Sequence, residues 1–141
     1  MTRIDFYILP IEDDASRWHF TCRLAEKAWR QGNLILLHTA NSAMSQHLDA
    51  LLWSFRADSF LPHDALPTAH QSPVHIGHGD YGGNHHDLLI NLGDTIPGFF
   101  SRFDRVAEIV TQQPSQITAN RERFRFYRER GYEIKINDMK K

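Results

Sequence analysis

Two short apolar runs bracket an amphipathic helix near the start of the chain, and that order limits the fold more than any other feature. Ile4 to Leu9 (IDFYIL) is largely apolar and short, as a buried strand is. Pro10 ends it, and the acidic pair Asp13–Asp14 offers a cap and favourable charge to a helix start. Ala15 to Gln31 then carries Trp18, Cys22, Ala25 and Trp29 on one stripe, with Arg17, Arg23, Lys27 and Arg30 mostly elsewhere. Gly32 stops that helix and Leu34 to Leu37 is the next buried strand. Strand, helix, strand calls for a parallel pair with a right-handed crossover.

The alternation continues. Asn41 or Ser42 caps a second helix bearing Met44, Leu48, Leu51 and Leu52. The stretch from Phe55 to Pro73 has turn residues and internal prolines and reads as irregular. Pro73 to Ile76, Leu88 to Leu92 and Val106 to Val110 are further strands. Pro97 to Phe103 is a short helical turn, Pro114 to Arg130 a long helix ended by Gly131, and Tyr132 to Ile136 a final extended piece. The expected fold class is α/β, with a mostly parallel sheet, helices on both faces, and a Rossmann-like order of elements. No internal repeat or linker divides the chain, so residues 1–141 are expected to form a single domain.

A Rossmann-like frame raises the question of a nucleotide. Gly77, Gly79 and Gly82 stand as G-x-G-x-x-G after the strand ending at Ile76. A working fingerprint opens a helix whose N-terminus holds the pyrophosphate, with an acidic residue about 20 positions on. Here Leu88 to Leu92 follows too soon for a helix, Asp94 comes too early, and Asp104 lies beyond another strand and turn. The spacing reads as chance in a glycine-rich hairpin or crossover loop. No phosphate-binding G-x-x-x-x-G-K-[ST] and no G-x-S-x-G nucleophile turn occurs. His75, His78, His85 and His86 crowd the same segment without the ligand spacing of a zinc site, and read as surface loop histidines. No metal and no cofactor are expected. Cys22, the one cysteine, reads as a small core residue in a reducing compartment. The N-terminus lacks a signal-peptide pattern and no apolar run spans a membrane, which points to the cytoplasm. The rival reading is a nucleotide- or metal-dependent enzyme using the Gly77–Asp87 loop.

Two segments are unusual for a plain α/β core. Trp53, Phe55, Phe60 and Leu61 cluster in LLWSFRADSFLPHDAL, at a helix end and in a turn-rich connection. Phe55 and Leu61 are expected to be core, whereas Trp53 and Phe60 divide between core and partner-facing anchors. The other segment is ANRERFRFYRERGY. On a helix, Ile117, Arg121, Phe124, Arg125 and Arg128 fall within about one third of the circumference, while Arg123 and Arg130 point elsewhere. Three guanidinium forks around the Phe124 ring suit carboxylates beside an apolar group, and Tyr127 is the other ring close enough to the arginines to offer bases a stacking surface. The formal net charge of −1 argues against a face built for bare nucleic acid.

The blocks LLWSFRADSFLPH, PVHIG, DLLINL, PGFFSRFDRVAEIV and R-x-R-F-R-x-Y-R-x-x-G-Y together resemble the chi subunit of bacterial DNA polymerase III holoenzyme, over essentially the whole chain. That resemblance implies a non-catalytic accessory protein of the clamp-loader complex, its nucleotide-binding-like fold lacking a working nucleotide site. It implies two protein partners. One is the psi subunit, which tethers chi to the clamp loader. The other is the C-terminal tail of single-stranded DNA-binding protein, acidic and ending in an apolar residue with a free carboxylate. Nucleic acid is then engaged mainly through that coating protein, and a DNA-repair helicase is a further partner, through the psi surface.

Carried over by motif, Trp53 and Phe60 match the aromatic positions of the psi-binding side, with Leu66 added to the same patch. Arg121, Phe124 and Arg125 match the basic and aromatic positions of the tail-binding helix, with Arg128 beside them. The family pattern has Tyr and Lys where this chain has Phe124 and Arg125, and a lysine where it has Ile117. The ring loses a hydroxyl, typically worth about 1 kcal/mol net in hydrogen bonding. The expected tail site is less basic at Ile117, with Arg128 as compensation.

Overall fold

A computed structural model of the chain describes residues 1–56, 61–68, 71–80 and 82–139. Seven strands form one sheet: β1 (Arg3–Ile8), β2 (Ile35–Thr39), β3 (His63–Ala65), β4 (Val74–His78), β5 (Leu88–Asn91), β6 (Arg105–Val110) and β7 (Glu133–Asp138). Their order is β3-β4-β2-β5-β6-β1-β7, and every pair is parallel. Three helices accompany them, α1 (Asp14–Arg30), α2 (Ser42–Ser54) and α3 (Pro114–Glu129), with a 3-10 turn at Phe100–Arg102.

Local chemistry places the helix ends where the sequence puts them. Asp13 caps α1, its carboxylate accepting from the Ser16 amide at 2.8 Å, and this bond holds the carboxyl below the usual aspartate range. Asn41 caps α2 through the Met44 amide at 2.9 Å. Gly32 and Gly131 follow α1 and α3 with φ of 88° and 79°, the left-handed conformation that glycine adopts without a Cβ clash.

Both faces of the sheet are covered, so the central strands are apolar on both sides. Ile35, Leu37, Val74, Ile76, Leu88, Ile90, Ala107 and Ile109 pack with Cys22, Ala25, Leu48 and Leu52 under α1 and α2. Alternate residues, Leu36, Leu89, Val106, Ile4 and Phe6, pack on the other face with Tyr127 of α3 and with Phe100 and Phe103. Leu61 is buried and Phe55 is partly buried against the α1–α2 core, while burial pushes the Cys22 thiol up to about 12.

The structure corrects the sequence reading in four places. The segment read as irregular contains β3, a three-residue edge strand between Pro62 and Leu66. Proline is tolerated beside an edge strand, so its presence did not exclude one. Arg17, placed away from the apolar stripe, is buried, donating from Nε to the Ile109 carbonyl at 3.3 Å, and burial lowers its affinity for its proton. His75 and His85 are not surface histidines. Both are buried, with rings stacked at 3.9 Å and 10°, and a ring nitrogen of His85 lies 2.8 Å from the Ser72 carbonyl. His78 and His86 are exposed as expected. Tyr127, a ring near the arginines that could have offered a stacking surface, is fully buried on the inner side of α3.

Candidate functional site

The glycine loop resolves into packing. A Cβ on Gly82 would stand 2.7 Å from the Phe99 ring, so the third glycine of the G-x-G-x-x-G string makes room for an aromatic side chain. Arg102 ties the loop down from the neighbouring turn, donating from Nη2 to the Gly82 carbonyl at 2.9 Å and to the His85 carbonyl at 3.0 Å. Its guanidinium lies 5.2 Å from the Phe99 ring centre and 4.9 Å from that of Phe103. Among the described residues no group of three or more His, Cys, Asp or Glu is placed to hold a metal ion.

Helix α3 is where the unusual residues converge. Its inner side is fixed by a buried polar cluster centred on Glu108 of β6, which is inaccessible to solvent. Arg123 Nη1 meets Glu108 Oε1 at 3.0 Å, and Tyr127 Oη donates to Oε2 at 2.7 Å. Asn91 Nδ2 donates to the same Oε2 at 3.0 Å, and Arg123 Nη2 donates to the Gly93 carbonyl at 2.6 Å. Burial, then the charge of Glu108, drives the Tyr127 phenol far above its ordinary value, so it stays a donor. Arg123 therefore serves the fold. The sequence signal was a lone carboxylate inside the apolar strand VAEIV, which requires a buried cation or donors.

With that stripe turned inward, the next stripe faces out. Arg121, Phe124, Arg125 and Arg128 line a concavity of about 630 Å³, together with Asn120 and Glu129. Phe124 forms its floor. The ring is half-buried and rests on Phe6 with centroids 5.8 Å apart. The three arginines are exposed. Asn120 Oδ1 is buried there without a hydrogen-bond partner. Ile117 is half-buried and does not line the concavity. Sequence reasoning singled out neither Asn120 nor Glu129. Arg130 turns away and stacks on Phe126 with its guanidinium 3.7 Å from the ring centre.

The aromatic residues of the α2 end are distributed differently. Trp53 is 53% exposed on the last turn of α2, and its ring lies 4.4 Å from that of His63 on β3. His63 is buried between the Leu61 and Asp49 carbonyls, with ring nitrogens at 2.7 and 3.0 Å from them. Leu66 packs into the cluster on the α3 side of the sheet, so it does not share a patch with Trp53. Phe60 lies outside the described residues. No described helix is long and apolar enough to cross a membrane.

The sequence profile of the family described as "DNA polymerase III chi subunit, HolC" matches residues 1–135. The chain is 50% identical over 134 residues to "DNA polymerase III subunit chi" of Pseudomonas aeruginosa, covering 95% of this chain and 94% of that protein. It is 29% identical to the protein of the same name from Haemophilus influenzae over 137 residues, covering 95% of each. The corresponding figures for the Escherichia coli protein are 26% over 141 residues, covering 95% and 96%. Half the positions shared along nearly the full length, on top of a profile spanning both the β1–α2 half and α3, settle the relationship: the chain belongs to the DNA polymerase III chi subunit family.

Proposed function

We propose that the chain is a non-catalytic adaptor of the clamp-loader complex, holding the psi subunit on one face and the acidic C-terminal tail of single-stranded DNA-binding protein on another. The observation that carries this reading is the grouping of Arg121, Arg125 and Arg128 around the Phe124 ring in one concavity. Forked cations over an apolar floor match a peptide whose last residue combines a bulky side chain with a free carboxylate. Glu129 on the rim limits how many acidic residues of the tail can approach from that end.

Calorimetry with a synthetic tail peptide tests the site. Arg121→Ala and Arg125→Ala should each weaken binding by roughly five- to tenfold at low salt, since a charge-assisted hydrogen bond is worth about 1.5–3 kcal/mol before solvent exposure discounts it. The deficit should shrink as salt is added, because the lost attraction is the part that ions screen. Unchanged affinity in both variants rejects the site.

The proposed psi face centres on Trp53 and Phe60. Exposure of a tryptophan at a helix end supports an anchoring role for Trp53. Trp53→Ala should abolish co-purification with psi while leaving tail-peptide binding and the melting curve nearly unchanged. An unfolded variant would instead make the Trp53–His63 contact a core element.

A further inference from the structure

We propose a second peptide-binding groove, on the α1 side of the sheet, for an extended acidic segment of a partner protein that carries a bulky apolar side chain. The groove encloses about 710 Å³. Its cations are Arg23, Lys27 and Arg30 from α1, joined by Arg56 from beyond the end of α2. Its apolar surface comes from Tyr7 and Phe20, whose rings pack at 5.4 Å, and from Leu24 and Met139. Glu26 is the one carboxylate among the lining residues, and it is already engaged. Arg56 Nη1 lies 2.7 Å from it and Arg30 Nη2 3.6 Å. Arg23 and Lys27 have no carboxylate partner among the described residues, and both are exposed. The groove therefore presents two unpaired cations next to two half-neutralised ones, on a chain whose formal net charge is −1.

Register decides the conformation of the occupant. Arg23 and Lys27 are one helical turn apart, about 6 Å along the axis. Same-side residues of an extended peptide repeat at about 6.7 Å. Alternate acidic residues can thus meet successive cations while a residue on the opposite side turns toward Phe20 and Leu24. A nucleic-acid strand fits less well. The two rings are half-buried against each other at 54°, so they do not offer the open faces on which bases stack. The rest of the floor is aliphatic. This groove needs no terminal carboxylate, and it does not rest on the α3 reading.

The probe is a peptide of alternating Glu and Leu, acetylated and amidated, titrated into the ¹⁵N-labelled full chain. Amide shifts are expected at Tyr7, Arg23, Leu24 and Lys27. The Arg23→Ala/Lys27→Ala double variant should bind roughly fivefold more weakly, with its spectrum otherwise preserved because both side chains are exposed. Arg121→Ala/Arg125→Ala should bind this capped probe as the parent does. Shifts confined to α3, unchanged affinity in the Arg23/Lys27 variant, or stronger binding of an oligothymidylate at the same residues would overturn the proposal. Failure of the free tail peptide at α3, with the capped probe still bound at α1, would count against the α3 site alone.

Discussion

Replacing Arg123 with methionine keeps most of the side-chain length and removes only the guanidinium. In the parent chain that group makes a 3.0 Å ion pair with Glu108 and a 2.6 Å hydrogen bond to the Gly93 carbonyl. Glu108 is fully buried, so Arg123→Met leaves a carboxylate in a dry site with only Tyr127 and Asn91 as donors. Breaking a buried pair from one side costs about 3–5 kcal/mol, and the two remaining donors place this case near the low end. Domains of this size are stable by about 5–15 kcal/mol, so a fifth or more of the total is at stake. With a urea slope of about 2 kcal/mol per molar, the midpoint should fall by roughly 1.5 M at unchanged slope. Glu108→Gln added to Arg123→Met removes the orphaned charge and should recover part of the loss, a coupling of about 1–2 kcal/mol. Arg125→Ala, exposed on the same helix, should shift stability by less than about 0.5 kcal/mol. A loss below about 1 kcal/mol for Arg123→Met, or strict additivity in the double variant, would refute the assignment of Glu108 as a buried anchor.

Two further outcomes follow from packing and burial. Gly82→Ala should destabilise by about 1–3 kcal/mol in urea melts, because the new methyl meets the Phe99 ring at 2.7 Å and the ring must yield; a neutral result would show that the ring moves freely. Cys22, with its thiol raised to about 12 by burial, should resist iodoacetamide at pH 8 in the native chain and react only in proportion to the unfolded fraction. Because the folded thiol keeps its proton while the unfolded one ionises above its ordinary value of 9.0, stability should fall between about pH 9 and 12, and Cys22→Ala should remove that part of the decline.

Periodicity carried most of the fold, since it is set by the same burial that builds the sheet. The alternation of Leu36 and Leu89 toward α3 with Ile35, Leu37, Leu88 and Ile90 toward α1 and α2 is what a strand covered on both faces requires. Elements without that signal were illegible. β3 spans His63–Ala65, a stretch whose central residue is Asp64, and its strand character comes from pairing with β4. The stacking of His75 on His85 joins a strand to a loop, a contact that no local spacing reports. Leu66 was grouped with Trp53 by nearness in sequence, yet the chain passes the sheet edge between them and delivers Leu66 to the other side. On α3 the helical angle grouped Arg121, Phe124, Arg125 and Arg128 on the stripe that lines one concavity, whereas Ile117, at a similar angle, does not line it.

That sorting has a physical origin in a residue outside the helix. The arginines at 121, 123, 125, 128 and 130 do not by themselves choose a side for the helix to bury, since cations are costly to desolvate wherever they fall. Glu108 breaks the tie. Its carboxylate sits in the middle of β6, where Asn91 of β5 meets one oxygen and α3 supplies the remaining donors, Arg123 with Tyr127 one turn on, from a single stripe. Once those two are fixed inward, the helical step of about 100° leaves no freedom. Phe124 settles at the boundary against Phe6, and Arg121, Arg125 and Arg128 turn to solvent together. The cationic face is therefore oriented from within the core, and a change at Glu108 or Tyr127, neither of which lines the concavity, would rotate or loosen that face before any of its own arginines is touched.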